Sequence, residues 1–115
     1  MSINPNSIID HFVSIDDGRL KFKQAWDDIP ESGQKSVATA GTAVAIGSDI
    51  KVGNLVVIAN CDNSGNIYLG SSSVNSSKGV KIPPGGILPC GAVNLSKIYI
   101  DADVSGDGIS YYYVR

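Results

Sequence analysis

The sequence is poor in the residue types that catalytic sites use most often. Among 115 residues there are one histidine, two cysteines and one tryptophan. An enzyme needs converging polar groups, such as a nucleophile beside its base or a pair of carboxylates. His11 lies far along the chain from Ser71, Ser72 and Ser73, and no serine stands in a Gly-x-Ser-x-Gly motif. The sequence therefore predicts a non-enzymatic protein without a cofactor. A cleft joining His11 to a serine or an aspartate would favour a small hydrolase instead.

Strong charge of one sign and long apolar runs are also missing. The net charge is −2 and no cluster of lysine and arginine occurs, which argues against nucleic-acid binding. No apolar stretch approaches the roughly 18 residues of a membrane span. The first ten residues, MSINPNSIID, lack the basic and apolar regions of a signal peptide. We therefore expect neither a nucleic-acid nor a membrane partner, and synthesis in a cytoplasm.

Metal-binding patterns are incomplete. Cys61 and Cys90 with one distant histidine match no zinc spacing, and two such cysteines are typical of small buried side chains, with a disulfide between them as the alternative. Residues 101–107, DADVSGD, match the first half of a calcium-binding loop. Position twelve of that loop is Tyr112 rather than glutamate, and the flanking residues are strand-like. The sequence therefore predicts no metal site.

What the sequence does contain is β-strand pattern, most clearly over residues 97–114, KIYIDADVSGDGISYYYV. Apolar residues alternate there with polar ones, a period of two typical of a strand with one buried face. The residues expected to face inward are Ile98, Ile100, Ala102 and Val104, and those expected to face outward are Tyr99, Asp101 and Asp103. A glycine-containing turn at 105–108 and a second apolar strand at 109–114 follow. The pattern predicts a β-hairpin.

Short apolar segments separated by Gly, Pro, Ser and Asn fill the rest of residues 36–115. The predicted strands are one or two within 36–45, a buried central strand at 55–59, and further strands at 66–69, 80–82 and 87–93. Helix signals are nearly absent. The sequence predicts an all-β fold, either an antiparallel β-sandwich or a small jelly-roll-like barrel.

The composition changes near residue 35. Residues 1–35 hold half of the charged residues and every Trp, Phe and His, whereas all five tyrosines follow. We therefore predict an N-terminal arm and linker over 1–35, with IPESG at 29–33 as the linker, and a β-sandwich domain over 36–115. Residues 19–26 alternate as an amphipathic strand and place Leu20, Phe22 and Trp26 on one side. So short a segment cannot form its own core, so this stripe must be covered, by the β-domain, a sister subunit or a partner protein.

The three consecutive tyrosines supply a further candidate contact. If Ile109, Tyr111 and Tyr113 face inward, Tyr112 faces outward, or the reverse. An exposed tyrosine is a favoured anchor in protein contacts. The predicted partner-binding residues are therefore Leu20, Phe22, Trp26 and Tyr112.

Four segments of the β-region stand out as a set. They are VATAGTAVAI (37–46), GNIYLGSSSV (65–74), IPPGG (82–86) and VNLSKIYIDADVSGDGISYYYV (93–114). Together they resemble a small β-module of tailed-bacteriophage virion proteins, which occurs in capsid decoration, head-fibre and tail-associated proteins. The resemblance covers most of residues 36–115 and carries no catalytic residues.

The resemblance implies a structural component of a phage particle, located in the virion. A decoration or head-fibre protein would bind itself, as a homotrimer, and another virion protein such as the major capsid protein, docking through the arm. A tail- or baseplate-associated module that binds a receptor or a carbohydrate is the alternative.

Overall fold

Eight β-strands form two antiparallel four-stranded sheets in the computed structural model, which describes residues 29–115. The strands are β1 (Pro30–Ser36), β2 (Val44–Ala45), β3 (Lys51–Ala59), β4 (Ile67–Gly70), β5 (Val80–Ile82), β6 (Ile87–Asn94), β7 (Tyr99–Ala102) and β8 (Gly108–Val114). Sheet A has the order β1-β8-β3-β6 and sheet B the order β2-β7-β4-β5. A short 3₁₀ turn, Leu95–Lys97, leads from β6 into β7.

The two sheets pack face to face around one hydrophobic core, which confirms the predicted β-sandwich. Sheet A contributes Leu55, Val57 and Ile109, and sheet B contributes Ile67 and Ile100, all with no exposed surface. Alternate residues of each strand point into this core because successive side chains of a strand face opposite sides. The predicted central strand at 55–59 lies in β3, but only Leu55, Val57 and Ala59 are buried, and Val56 and Ile58 are half-buried on the outer side. The predicted strands at 66–69, 80–82 and 87–93 correspond to β4, β5 and β6.

The predicted linker is wrong, because residues 30–36 form the edge strand β1. Every residue of β1 is in register with β8, from Pro30 opposite Val114 to Ser36 opposite Gly108. The Tyr111 ring lies over Gly33, where a Cβ would collide with it. The Tyr113 hydroxyl donates to Glu31 at 3.0 Å. The boundary predicted between residues 35 and 36 therefore falls inside a strand of the sandwich.

The predicted C-terminal hairpin is also wrong, although both of its strands exist. β7 pairs with β2 and β4 in sheet B, whereas β8 pairs with β1 and β3 in sheet A. The connecting turn, with Gly106 at a φ of +95°, crosses from one sheet to the other. It is fixed to the end of β1, because Gly106 N donates to Val37 O and Val37 N donates to Asp107 O.

The predicted facing of residues 98–104 holds only within β7. Ile100 is fully buried, and Ala102 is nearly so. Val104 was expected to be buried but is 39% exposed, because the strand ends at Ala102 and the alternation ends with it. Asp101 lies on the side opposite Ile100, as expected, yet it is only 2% exposed because the segment 37–43 covers it.

Residues 37–43, between β1 and β2, form turns and irregular backbone and contain no strand. Residues 36–45 were expected to hold one or two strands, and they contain only the last residue of β1 and the two residues of β2. The amphipathic strand predicted over 19–26, with Leu20, Phe22 and Trp26, lies outside the described residues, as does His11.

Candidate interaction surface

The outer face of sheet A presents apolar and uncharged side chains to the surroundings. Cross-strand pairing aligns two rows that each take one residue from all four strands. The first row is Ser32, Tyr112, Val56 and Pro89, and the second is Gln34, Ser110, Ile58 and Ile87. Directly opposed side chains on one face have Cβ atoms about 4.5–5.5 Å apart, so each row is a continuous contact surface. We call these eight residues the A face.

The A face contains the most exposed large apolar side chains of sheet A. Ile87 is 64% exposed and Tyr112 is 47% exposed. Val56 and Ile58 are half-buried between them. Tyr112 points outward because Tyr111 packs against the core and Tyr113 is only 5% exposed, so the first of the two predicted alternatives is confirmed.

Among the charged residues of sheet A, Glu31 and Lys35 point away from the A face, and Lys51 lies beyond its two rows, opposite Asn94. Glu31 and Lys35 alternate with Ser32 and Gln34 on β1, so they point to the other side. Glu31 accepts from Tyr113 and pairs with Arg115 Nε at 2.9 Å. An exposed, uncharged and partly apolar patch is typical of a surface that contacts another protein.

The outer face of sheet B is built differently, with polar groups that bond to one another. Tyr68 stands between Lys81 and Asp101 in the register of the sheet. Its hydroxyl lies 3.0 and 3.1 Å from the two carboxylate oxygens of Asp103. Burial and the hydrogen bond to Asp103 raise the pKa of Tyr68. The backbone N–H of Asn66 and the Tyr68 hydroxyl hold the pKa of Asp103 below its usual range.

The loop 71–79 covers part of this second face. Val74 in the middle of the loop is only 5% exposed, although both flanks of the loop are polar. Gly79 passes so close to Val74 and to the Tyr68 side chain that a Cβ on it would collide with Val74. As a result Tyr68 is only 6% exposed, whereas Tyr112 on the A face is open.

The aspartates of the calcium-like segment 101–107 anchor backbone groups of neighbouring loops. Asp101 Oδ1 accepts from Gly41 N at 2.8 Å. The two oxygens of Asp107 accept from Ser64 N at 3.0 Å and from Gly65 N at 2.8 Å. The carboxylates therefore take part in hydrogen bonds that fix the segments 37–43 and 60–66 to the sandwich. No group of three or more His, Cys, Asp or Glu suited to a metal occurs within residues 29–115.

One pocket opens beside the A face, at the paired ends of β3 and β6. Its volume is about 280 Å³, and it is lined by Lys51, Val52, Ala92, Val93 and Asn94. One amine and one amide are its only functional side-chain groups, and Asn94 Nδ2 donates to Asp49 at 2.6 Å. This lining holds no pair of a nucleophile and a base.

The two cysteines are both free thiols. Cys61 is exposed in the loop after β3, and Cys90 is half-buried in β6. Burial raises the pKa of the Cys90 thiol. The predicted alternative, a disulfide between Cys61 and Cys90, therefore does not form in this structure.

Of the four predicted partner-binding residues, the structure describes only Tyr112, and it places that residue at the centre of the A face. Val56, Ile58, Ile87 and Pro89 were not predicted as surface contacts. Val56 and Ile58 lie in a continuous apolar run, so alternation separates them from Leu55, Val57 and Ala59 but does not show which set faces outward. The residues that lie beside Ile87 and Pro89 depend on the order of the strands in the sheet. Alternation along a single strand does not determine that order.

Comparisons of the chain with protein-family models, with curated proteins and with solved structures find no match. No helix long and apolar enough to cross a bilayer occurs among the described residues.

Proposed function

We propose that this chain is a non-enzymatic structural protein of a tailed-bacteriophage particle. A capsid decoration or head-fibre protein, located in the virion, is the position we favour. It docks through the residues that precede β1 and works as a homo-oligomer, for which a trimer is proposed from the phage resemblance. A virion protein such as the major capsid protein is its other partner.

The A face is the observation that supports a binding role. A surface that combines exposed Ile87 and Tyr112 with half-buried Val56 and no charge is costly to leave in water. A small domain also gains stability from association with other subunits. The phage assignment itself is supported by the resemblance of residues 37–46, 65–74, 82–86 and 93–114.

The test is reconstitution of particles that lack this protein. Purified full chain is added to virions made without its gene, and bound protein is measured after sedimentation. We expect saturable binding, which a chain beginning at Ile29 loses while it stays folded. The shortened chain must begin at Ile29 and not at Ser36, because removal of β1 would expose the edge of β8. Absence of the protein from purified wild-type virions would contradict the assignment.

A carbohydrate-binding role is a second candidate, which the surroundings of Tyr112 favour. An exposed aromatic ring beside the hydroxyls of Ser32 and Ser110 and the amide of Gln34 combines an apolar platform with hydrogen-bonding groups. Binding of the full chain to an array of bacterial glycans, lost in Tyr112→Ala and kept in Tyr99→Ala, would support this alternative. No binding to any glycan leaves the structural role.

A further inference from the structure

We propose that the A face is the docking site for residues 19–26 of a second copy of this chain, with Leu20, Phe22 and Trp26 as the anchors. This inference rests on the homo-oligomer and on the binding role of the A face given under the proposed function. It does not depend on the phage assignment, and it names the occupant of the surface.

The A face alone is too small for a stable contact between two copies. Four strands about 4.8 Å apart and some five residues of about 3.4 Å each cover roughly 300 Å². A standard interface buries about 800 Å² on each partner. Two A faces laid on each other would therefore reach less than half of that area. Two arms docked reciprocally on two A faces would bury both faces and both stripes, and Phe22 and Trp26 each add about 150–250 Å² on the arm side.

The spacing of the anchors fits the A face. Leu20 and Phe22 are two residues apart, which is about 7 Å in an extended segment. The two rows of the A face are also two residues apart along each strand, as Tyr112 and Ser110 show on β8. A segment that lies along the strands therefore sets Leu20 and Phe22 on the two rows, and Trp26, about 14 Å beyond Phe22, lies past the second row. In this docked arrangement the basic residues Arg19, Lys21 and Lys23, which alternate with the anchors in the sequence, would face away from the sheet.

The short connection to β1 disfavours docking of Trp26, and with it the complete stripe, on the A face of the same molecule. Ile29 is still held in the plane of sheet A, because Ile29 N donates to Arg115 O at 3.1 Å and Arg115 N donates to Ile29 O at 3.2 Å. Only residues 27 and 28 separate Ile29 from Trp26. A two-residue connection returns a chain beside its neighbouring strand, in the same sheet. A segment packed on a sheet lies about 10 Å above it. Three fully extended residues also span about 10 Å, which leaves no residue for the turn that the chain would have to make. The A face of another copy meets no such limit.

Matched variants of the full chain test the face. Ile87→Lys with Tyr112→Lys places two charges on the A face. Val80→Lys with Val104→Lys is the control, because these side chains are similarly exposed, at 51% and 39%, but lie elsewhere. Self-association is measured by analytical ultracentrifugation over a range of concentrations. We expect the first variant to associate at least about tenfold more weakly, as for loss of an interface anchor, and the control to match the wild type.

A mixing experiment identifies the occupant. Trp26 is the only tryptophan, so its fluorescence reports on the arm. A stripe variant with Leu20→Ser, Phe22→Ser and Trp26→Ser has an intact A face and no tryptophan. The Ile87→Lys, Tyr112→Lys variant has an intact arm. We expect Trp26 emission of the latter to shift to shorter wavelength when the stripe variant is added, and not when more of the same variant is added.

Three results would overturn the inference. One is an unchanged Trp26 emission on mixing. Another is a short-wavelength emission in the wild type that does not change on dilution to monomers, which means that each arm docks on its own molecule. The third is full association of the stripe variant, which means that two A faces meet without the arm. If self-association fails these tests while the full chain still binds depleted virions, only the occupant is refuted and the proposed function stands.

Discussion

The outer faces of the two sheets differ, and so do their strands, which have seven to nine residues in sheet A and two to four in sheet B. On sheet B, Tyr68 is covered by the loop 71–79 and bonded to Asp103. On sheet A, Tyr112 and Ile87 are exposed, and no described segment crosses them. Within residues 29–115, Tyr68 on one face is covered, and Tyr112 and Ile87 on the other are exposed.

The difference lies in the loops and in the outward side chains of the strands. Sheet B is flanked by long loops whose backbone N–H groups find carboxylates, as Gly41 N does with Asp101 and Ser64 N with Asp107. The outer side of sheet A has no charged side chain in its two central rows. Buried polar groups require partners within the fold, whereas an apolar face gains from any apolar cover. The A face is therefore the better candidate for a contact surface.

The largest expected effect separates the two sides of β3. Val57→Lys buries an ammonium group at a position with no exposed surface and should lower the free energy of unfolding by about 4 kcal/mol or more. Val56→Lys, one residue earlier, reaches solvent from the A face and should cost less than about 1 kcal/mol. Urea denaturation of both variants measures the difference. Equal losses would mean that the A face is not open.

The next largest expected effect on stability concerns the hydrogen bonds that hold the loop 60–66 to the sandwich. Asp107→Ala leaves Ser64 N and Gly65 N without their acceptor, and Asp107 is only 8% exposed. We expect a loss of about 2–3 kcal/mol, as for hydrogen bonds to a charged group. Asp62→Ala, in the same loop and exposed, is the control and should change stability by less than about 0.5 kcal/mol. Thermal unfolding that is equal in both variants would show that the Asp107 bonds do not stabilise the fold.

The sequence predicted the strands better than their partners. A continuous apolar run identified β3, a short apolar segment between turn residues identified β4, and alternation identified β7, because each strand buries its own apolar side chains in the core. The C-terminal hairpin failed because a glycine turn is compatible with a return into the same sheet or a crossing into the other. What decides the crossing is long-range, since the turn bonds to Val37 at the end of β1.

The sequence did not predict β1, because the residues that face inward on this strand are Glu31, Gly33 and Lys35 and none of them is a large apolar residue. An edge strand with such residues has no apolar alternation of its own, and its apolar cover comes from Tyr111 and Tyr113 on β8. Long-range strand pairing also limited the prediction of the candidate interaction surface. Tyr112 was predicted as an exposed anchor, but the row that surrounds it depends on the order β1-β8-β3-β6, which only the sheet topology reveals.

A pH-dependent effect should appear on sheet B. Hydrogen bonds from Asn66 N and Tyr68 lower the pKa of Asp103 in the folded state. Its ionised form therefore stabilises the fold above the ordinary aspartate pKa of about 4, and this contribution is lost as the pH falls through and below that value. We expect Asp103→Asn to be less stable than wild type at pH 7, with the difference shrinking as the pH is lowered below about 4. Melting temperatures of both proteins across that range measure it, with Asp62→Asn as the control. A difference that stays constant with pH would mean that the charge of Asp103 has no part in it.

The smallest effect compares the hydroxyl groups of the tyrosines on the two outer faces. Tyr68→Phe removes the donor to Asp103, which leaves that carboxylate with fewer partners, so the melting temperature should fall. Tyr112→Phe removes a hydroxyl that bonds to no residue within 29–115, and its effect on stability should stay within about 0.5 kcal/mol. The two variants carry the same chemical change, so their difference isolates the surroundings of each ring. It is measured at a concentration where the protein is monomeric, because association through the A face would add to the stability of the wild type. If Tyr112→Phe lowers the melting temperature of the monomer as much as Tyr68→Phe does, then the arm of the same molecule covers Tyr112, and the two faces of the sandwich are alike after all.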